Sequence, residues 1–215
     1  MSEESAGIPR IRVRIEGLSD IVFGLALSIG SLILIANVPQ TPSALATDIV
    51  LFIFSFALVV TSWYLYSRIM SVLPVEVGGA LVLNLVLLLG VALEPYTLYV
   101  LDSSSGQNLS LLEWSSFTYA VDLGLIYLVL AGLARIFLTE AKKPKTELRI
   151  HPSIIEGIRR TMWAEIYLGG VFAVSALPFF WTLTPIGYLR FDIWYLSFGT
   201  GFMWFRRRKQ DAKGQ

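Results

Sequence analysis

The stretch Arg14–Ile35, RIEGLSDIVFGLALSIGSLILI, decides how the rest of the chain is read. It opens with charge, at Arg14, Glu16 and Asp20, and then turns apolar. Past Asp20 its only polar side chains are the hydroxyls of Ser28 and Ser31. At about 100° per residue a helix places Leu25, Ser28, Ile29 and Leu32 on one face, at spacing i, i+3, i+4, i+7. Arg14 falls on the same side if the helix reaches back to it. Such a face suits buried packing between helices, and it also suits the lining of a narrow pore. Periodicity leaves both readings open.

The rest of the composition points to a membrane. The chain has 215 residues, is 55% hydrophobic and has a mean hydropathy of +0.65, too apolar for a water-soluble domain. It has no cysteine and one histidine, His151, which excludes disulfides, thiolate chemistry and a histidine-rich metal centre. The N-terminus does not read as a cleaved signal. Residues 1–7 are acidic and small, Arg10, Arg12 and Arg14 come late, and the apolar run from Ile21 to Val38 is too long for a signal core.

A span needs about 20 mostly apolar residues to cross about 30 Å of hydrocarbon. Six segments qualify: Leu18–Val38, Leu45–Tyr66, Val77 to Glu94-Pro95, Glu113–Leu133, Thr161–Phe180 and Ile186–Phe205. The expected fold is an all-α integral membrane protein with six transmembrane helices. It comprises an N-terminal segment at 1–17, a six-helix domain at 18–205 and a basic tail at 206–215. Of the 17 Lys and Arg residues, all but Arg190 fall on segments that are inside if the N-terminus is inside. Translocation disfavours flanking positive charge, so both termini are expected in the cytoplasm. Asp48, Glu94, Asp102, Glu113 and Asp192 lie on or beside the outer turns. An acidic mouth there would concentrate cations, although short polar loops poor in base would look the same.

The expected partner is the bilayer, with no nucleic acid. The basic cluster Arg206–Lys209 lies where the positive-inside rule puts it, against anionic lipid. No phosphate loop, HExxH or GxSxG motif is present, and the ionisable residues Asp20, Glu94, Asp122 and Glu165 sit near span ends. These observations argue against an enzyme and imply no cofactor. Thr184-Pro185-Ile186-Gly187-Tyr188-Leu189 is a poor copy of a TVGYG potassium filter: Pro185 interrupts it, and Leu189 stands where a second glycine is needed.

Arg14-x-x-x-Leu18-Ser19-Asp20 resembles the R-x-x-x-F-S-D signature of the transmembrane protein 175 family of potassium channels, in its short prokaryotic form. Ser55-Phe56 followed by Trp63 resembles the family's SF…W-x-x-H, with Tyr66 in place of the histidine. Asn84 followed by Pro95-Tyr96 is similar to its N…P-F. The resemblance implies a homotetramer in a prokaryotic plasma membrane, with first helices around a central pore that favours potassium over sodium. It implies a constriction at Leu25, Ile29 and Leu32, with Ser28 at the family's hydroxyl position and potassium passing transiently near it. It further implies a signature network of Arg14, Ser19, Asp20, Trp63, Asn84 and Tyr66 at the inner end. Hydrophobic rings of this kind gate by dewetting. A secondary transporter or a proton-conducting protein is the alternative. A transporter would want inverted repeats and broken helices, and a proton path would want titratable groups along the Leu25–Leu32 face.

The absence of native cysteine makes the topology directly testable. Single cysteines at Gln40 and Ser105 are expected to react with a membrane-impermeant maleimide from outside. Cysteines at Lys145 and Lys213 should react only after permeabilisation. The reverse pattern would overturn the orientation.

Overall fold

Hydrocarbon offers no hydrogen-bond partner to a peptide group, so a chain this apolar satisfies its backbone internally, as helix. The computed structural model describes residues 7–36, 39–73, 79–104, 109–142, 151–184, 188–197 and 199–200. Their helices are α1 (Gly7–Ala36), α2 (Pro42–Met70), α3 (Ala80–Ser104), α4 (Leu109–Glu140) and α5 (Pro152–Ser175). A 3-10 turn at Pro178–Phe180 and a helical segment at 189–197 follow. Among the described residues, four helices, α1 to α4, are long and apolar enough to cross a membrane. The basic tail 206–215, the far end of the sixth predicted span and the Pro185 turn lie outside the described residues.

Two helix starts are legible locally. Thr41 caps α2 by accepting the Ala44 N–H at 3.1 Å, and Pro42 follows at the first turn, where a missing N–H costs nothing. His151 does the same for α5, accepting the Ser153 N–H at 3.3 Å ahead of Pro152. The single histidine is therefore a cap.

Several predicted boundaries are corrected. The third helix does not stop at Glu94-Pro95; α3 carries Pro95 in its interior and runs on to Ser104. Proline removes one backbone bond, but Leu98 and Leu101 beyond it are buried, and Ser104 bonds Ser115 of α4 at 2.7 Å. Packing outweighs the break. The fourth helix likewise continues past Leu133 to Glu140, because Ala134, Phe137 and Leu138 are buried. The first helix starts at Gly7, ahead of the predicted span, so Arg14 is helical.

The core is centred on α4, which packs most extensively against α5 and α3, while α1 lies against α3 and α2. The α4–α5 crossing is a near backbone-to-backbone contact. A Cβ on Gly169 would stand 3.0 Å from the Leu128 backbone nitrogen, and one on Gly124 3.2 Å from that of Ala173. Small residues permit this approach, and dispersion between the helices rewards it.

Arg190 corrects another expectation. Charge counting leaves it as the one outer cation, yet it is 1% exposed. Its guanidinium donates to the carbonyls of Ser175 (2.8 Å), Ala176 (3.1 Å) and Glu113 (3.1 Å) and to the Ser116 hydroxyl (2.6 Å). The end of a helix leaves carbonyls without intrahelical donors, and a cation there also meets the negative pole of the helix dipole. One side chain thus joins the end of α5 to the start of α4. Trp194 adds to the joint by donating to Ser175 Oγ at 2.7 Å.

Arg190→Lys is expected to destabilise the protein by about 3 kcal/mol, because an ammonium cannot serve these acceptors in fork geometry and buried carbonyls lose their donors. Thermal unfolding in detergent checks this. A melting temperature equal to wild type would show that the buried guanidinium is dispensable.

Candidate functional site

The helix α1 has two faces. Phe23 (1% exposed) and Ala26 (3%) pack inward, and Gly30 sits with its Cβ position 3.9 Å from the Phe52 ring. On the other side Leu25, Ile29 and Leu32 are 57%, 40% and 58% exposed, continuing a stripe begun by Leu18 and Ile21. Ser28 lies within this stripe. All four predicted constriction residues therefore share one face that no described helix of the protomer covers.

The Ser28 hydroxyl donates to the Gly24 carbonyl at 2.8 Å, and Ser31 donates to the Ser28 carbonyl at 2.7 Å. Back-bonding of this kind commits the hydroxyl proton to the helix. The lone pairs of Ser28 Oγ remain, so the stripe presents an acceptor, the form in which a hydroxyl meets a cation.

The N-terminal end of the stripe is tied to α2 by two consecutive residues. Ser19 is fully buried, donates to the Ile15 carbonyl at 2.8 Å and shares a 2.6 Å hydrogen bond with the Tyr66 hydroxyl. Since the Ser19 proton is given to Ile15, Tyr66 is the donor in the second bond. The Phe23 ring lies 5.7 Å from that of Tyr66. Next along, Asp20 Oδ1 accepts from Trp63 Nε1 at 3.1 Å. Ser19, Asp20, Trp63 and Tyr66 are thus brought together where α1 meets α2, with Tyr66 bonded to Ser19 and Trp63 to Asp20.

The other two predicted members stand apart from these bonds. Arg14 lies exposed on α1. Asn84 is buried on α3 at 2% exposure, and its Oδ1 has no hydrogen-bond partner among the described residues.

Sequence reasoning missed a polar cluster in the core. Glu94 was expected beside an outer turn; it is 2% exposed inside α3. It accepts from Ser55 of α2 and, at 3.4 Å, from the Tyr119 hydroxyl of α4. Thr97, one turn on, hydrogen-bonds Asp122 of α4 at 3.4 Å, and Asp122 is 7% exposed. The signal that could have found it is spacing. Glu94 and Thr97 are three residues apart, as are Tyr119 and Asp122, and each pair shares a helix face. Glu165, fully buried on α5, has neither carboxylate oxygen hydrogen-bonded among the described residues.

Residues 14–95 match the family model described as the endosomal/lysosomal potassium channel TMEM175. The match runs from the first residue of the signature through α2 and Asn84 to Pro95. A solved lysosomal potassium-selective channel TMEM175 homologue from Chamaesiphon minutus has a TM-score of 0.63 at 20% identity, covering 93% of this chain and 98% of that one. A variant of the potassium channel MtTMEM175, solved with a nanobody–MBP fusion, has a TM-score of 0.56 at 21% identity, covering 92% of this chain and 93% of that one. No curated protein sequence matches the chain. The TMEM175 family model thus covers residues 14–95, and over nearly its whole length the chain has the fold of these solved channels.

Proposed function

We propose that the protein is a potassium-favouring cation channel whose pore is lined by α1. The observation that carries this reading is the uncovered stripe Leu25–Ser28–Ile29–Leu32, held outward while the opposite face of α1 is packed. Both solved homologues are named potassium channels, which supports the same reading. In the proposed assembly four copies surround an axis, each with six spans and both termini in the cytoplasm of the host cell. One stripe per subunit cannot enclose a pore, so closed symmetry supplies the remaining walls.

The mechanism follows from the side chains. Rings of Leu25, Ile29 and Leu32 would form constrictions narrow enough to expel water, and a dry constriction blocks ions. Between them, four Ser28 oxygens would offer lone pairs to a partly dehydrated cation. Potassium is held less tightly by water than sodium, so it passes such a pore at lower cost. Few oxygens replace the lost hydration shell, so selectivity is modest. No TVGYG filter takes part. A proton path or a transporter finds less support, since the exposed stripe from Ile21 to Leu32 carries no titratable group.

Flux through the purified protein in liposomes, under potassium and then sodium gradients, tests the reading. Leu25→Ala and Ile29→Ala should each raise the current about tenfold if each removes about 1.4 kcal/mol of barrier. Both should also move the reversal potential toward that of an unselective pore. Current indifferent to both substitutions, or absent from folded protein, would place any pore elsewhere.

The Ser19–Tyr66 bond should act on the positioning of α1. Ser19→Ala leaves a buried Tyr66 hydroxyl without its acceptor and is expected to cost about 1–3 kcal/mol of stability. Ser19→Ala with Tyr66→Phe should recover part of that loss, and a double-mutant cycle measures the coupling. Changes that alter open probability but leave the reversal potential alone would fit a positioning role. A shifted reversal potential would put these residues in the ion path.

A further inference from the structure

Away from the stripe, a groove of about 660 Å³ runs between α4 and α5. One end is lined by Arg135, Lys142 and Arg159, all exposed, together with the Thr139 hydroxyl. Among the described residues no carboxylate lines it. The other end is apolar, with Leu128, Gly132, Met162 and Ile166. Trp163, 60% exposed, lies on the wall between α5 and the basic end.

The two ends are ordered along α4. The helix rises about 1.5 Å per residue, so Leu128 lies about 10 Å along its axis from Arg135, and Lys142, just past the helix end, lies further still. Basic residues at the surface level, a tryptophan beside them and an apolar floor running inward reproduce the polarity gradient of one bilayer leaflet. The shape and charge fit an amphiphile with an anionic head. An anion alone would have no use for the apolar end, and a neutral lipid none for three clustered cations.

We propose that this groove binds an anionic phospholipid, its phosphate held by Arg135, Lys142 and Arg159 and an acyl chain lying along Leu128, Gly132 and Ile166. Arginine suits the head because its planar fork gives two parallel bonds to phosphate oxygens. Arg159 also reaches Glu156 at 3.4 Å, but that pair is half exposed and contributes little, which leaves the arginine available. A lipid wedged here would brace α5 against α4 next to their close contact, where Leu128 meets Gly169.

Arg160 supplies an internal control. It has the same charge at the same depth, pairs with Glu156 at 2.8 Å and does not line the groove.

Native mass spectrometry of the full chain tests the site, with dioleoyl-phosphatidylglycerol, dioleoyl-phosphatidylcholine and inorganic phosphate as probes. Wild type should retain phosphatidylglycerol in preference to both others. Arg135→Gln with Arg159→Gln should weaken that retention about 25-fold, at roughly fivefold for each cation near a membrane surface. Arg160→Gln should leave it unchanged. Ile166→Trp, which keeps every charge and fills the apolar end, should weaken it as well. Both arginines and Ile166 are exposed, and helical content by circular dichroism confirms that the variants fold. Equal loss in Arg160→Gln would reduce the effect to general surface charge and overturn the site. Phosphatidylcholine retained as well as phosphatidylglycerol would overturn the role of the three cations. Inorganic phosphate retained as well as lipid, or no effect of Ile166→Trp, would overturn the lipid and leave a phosphate site.

Discussion

The Ser19–Tyr66 hydrogen bond sets the rotation of α1, and the exposure of the stripe depends on it. In a helix each residue turns the face by about 100°, so a slip of one position would bring Leu25 and Ile29 toward the core and send Phe23 and Ala26 outward. Apolar packing alone discriminates weakly between these states, because both faces of α1 are rich in leucine, isoleucine and alanine and the surrounding lipid is as apolar as the core. A buried hydroxyl pair discriminates sharply. Displacing Ser19 would strand the Tyr66 hydroxyl in an apolar interior, and the neighbouring Asp20–Trp63 contact would part with it. The polar signature at the base of α1 thus specifies orientation for the apolar residues above it.

The same logic holds at the other end of the chain. α5 is the least apolar of the long helices and is not among those apolar enough to span by composition alone. It is held by specific contacts instead: glycine-mediated approach to α4, and Arg190 clasping the last carbonyls of α5 together with Glu113 and Ser116 at the start of α4. Buried charge is costly when a partner is missing and sustainable when every donor is used. The guanidinium meets that condition here through backbone oxygens, with no carboxylate needed.

These cases mark how far the sequence could be read. The helical class and the stripe on α1 follow from hydropathy and a 3.6-residue period, both of which are local, whereas the starts of α2 at Pro42 and α5 at Pro152 lie ahead of the predicted Leu45 and Thr161. The family's short motifs located four of the six residues at the base of α1, because a motif preserves contacts between helices that no single helix reveals. What stayed hidden is tertiary. Pro95 and Arg135 read as stops, yet packing further along α3 and α4 carried both helices past them. Arg190 and Glu94 read as loop charges, because one sequence cannot show that a charged residue near a span end finds buried partners. For Asn84, the motif match places it in the family pattern while the structure leaves its Oδ1 without a described partner.

The location of the remaining buried acids bears on which reading of the protein is physically economical. Glu94 and Asp122 are held among α2, α3 and α4 by the hydroxyls of Ser55, Tyr119 and Thr97. Neither makes an ion pair among the described residues. A proton-conducting or proton-coupled protein would need such groups to communicate with the permeation surface. Here the stripe from Ile21 to Leu32 carries no titratable group, and Glu94 and Asp122 are buried among the other helices. Hydroxyl donors satisfy carboxylate oxygens that would otherwise be stranded in a core, and they do so across three helices at once. The cluster therefore ties the scaffold together at mid-chain, apart from the uncovered stripe of α1.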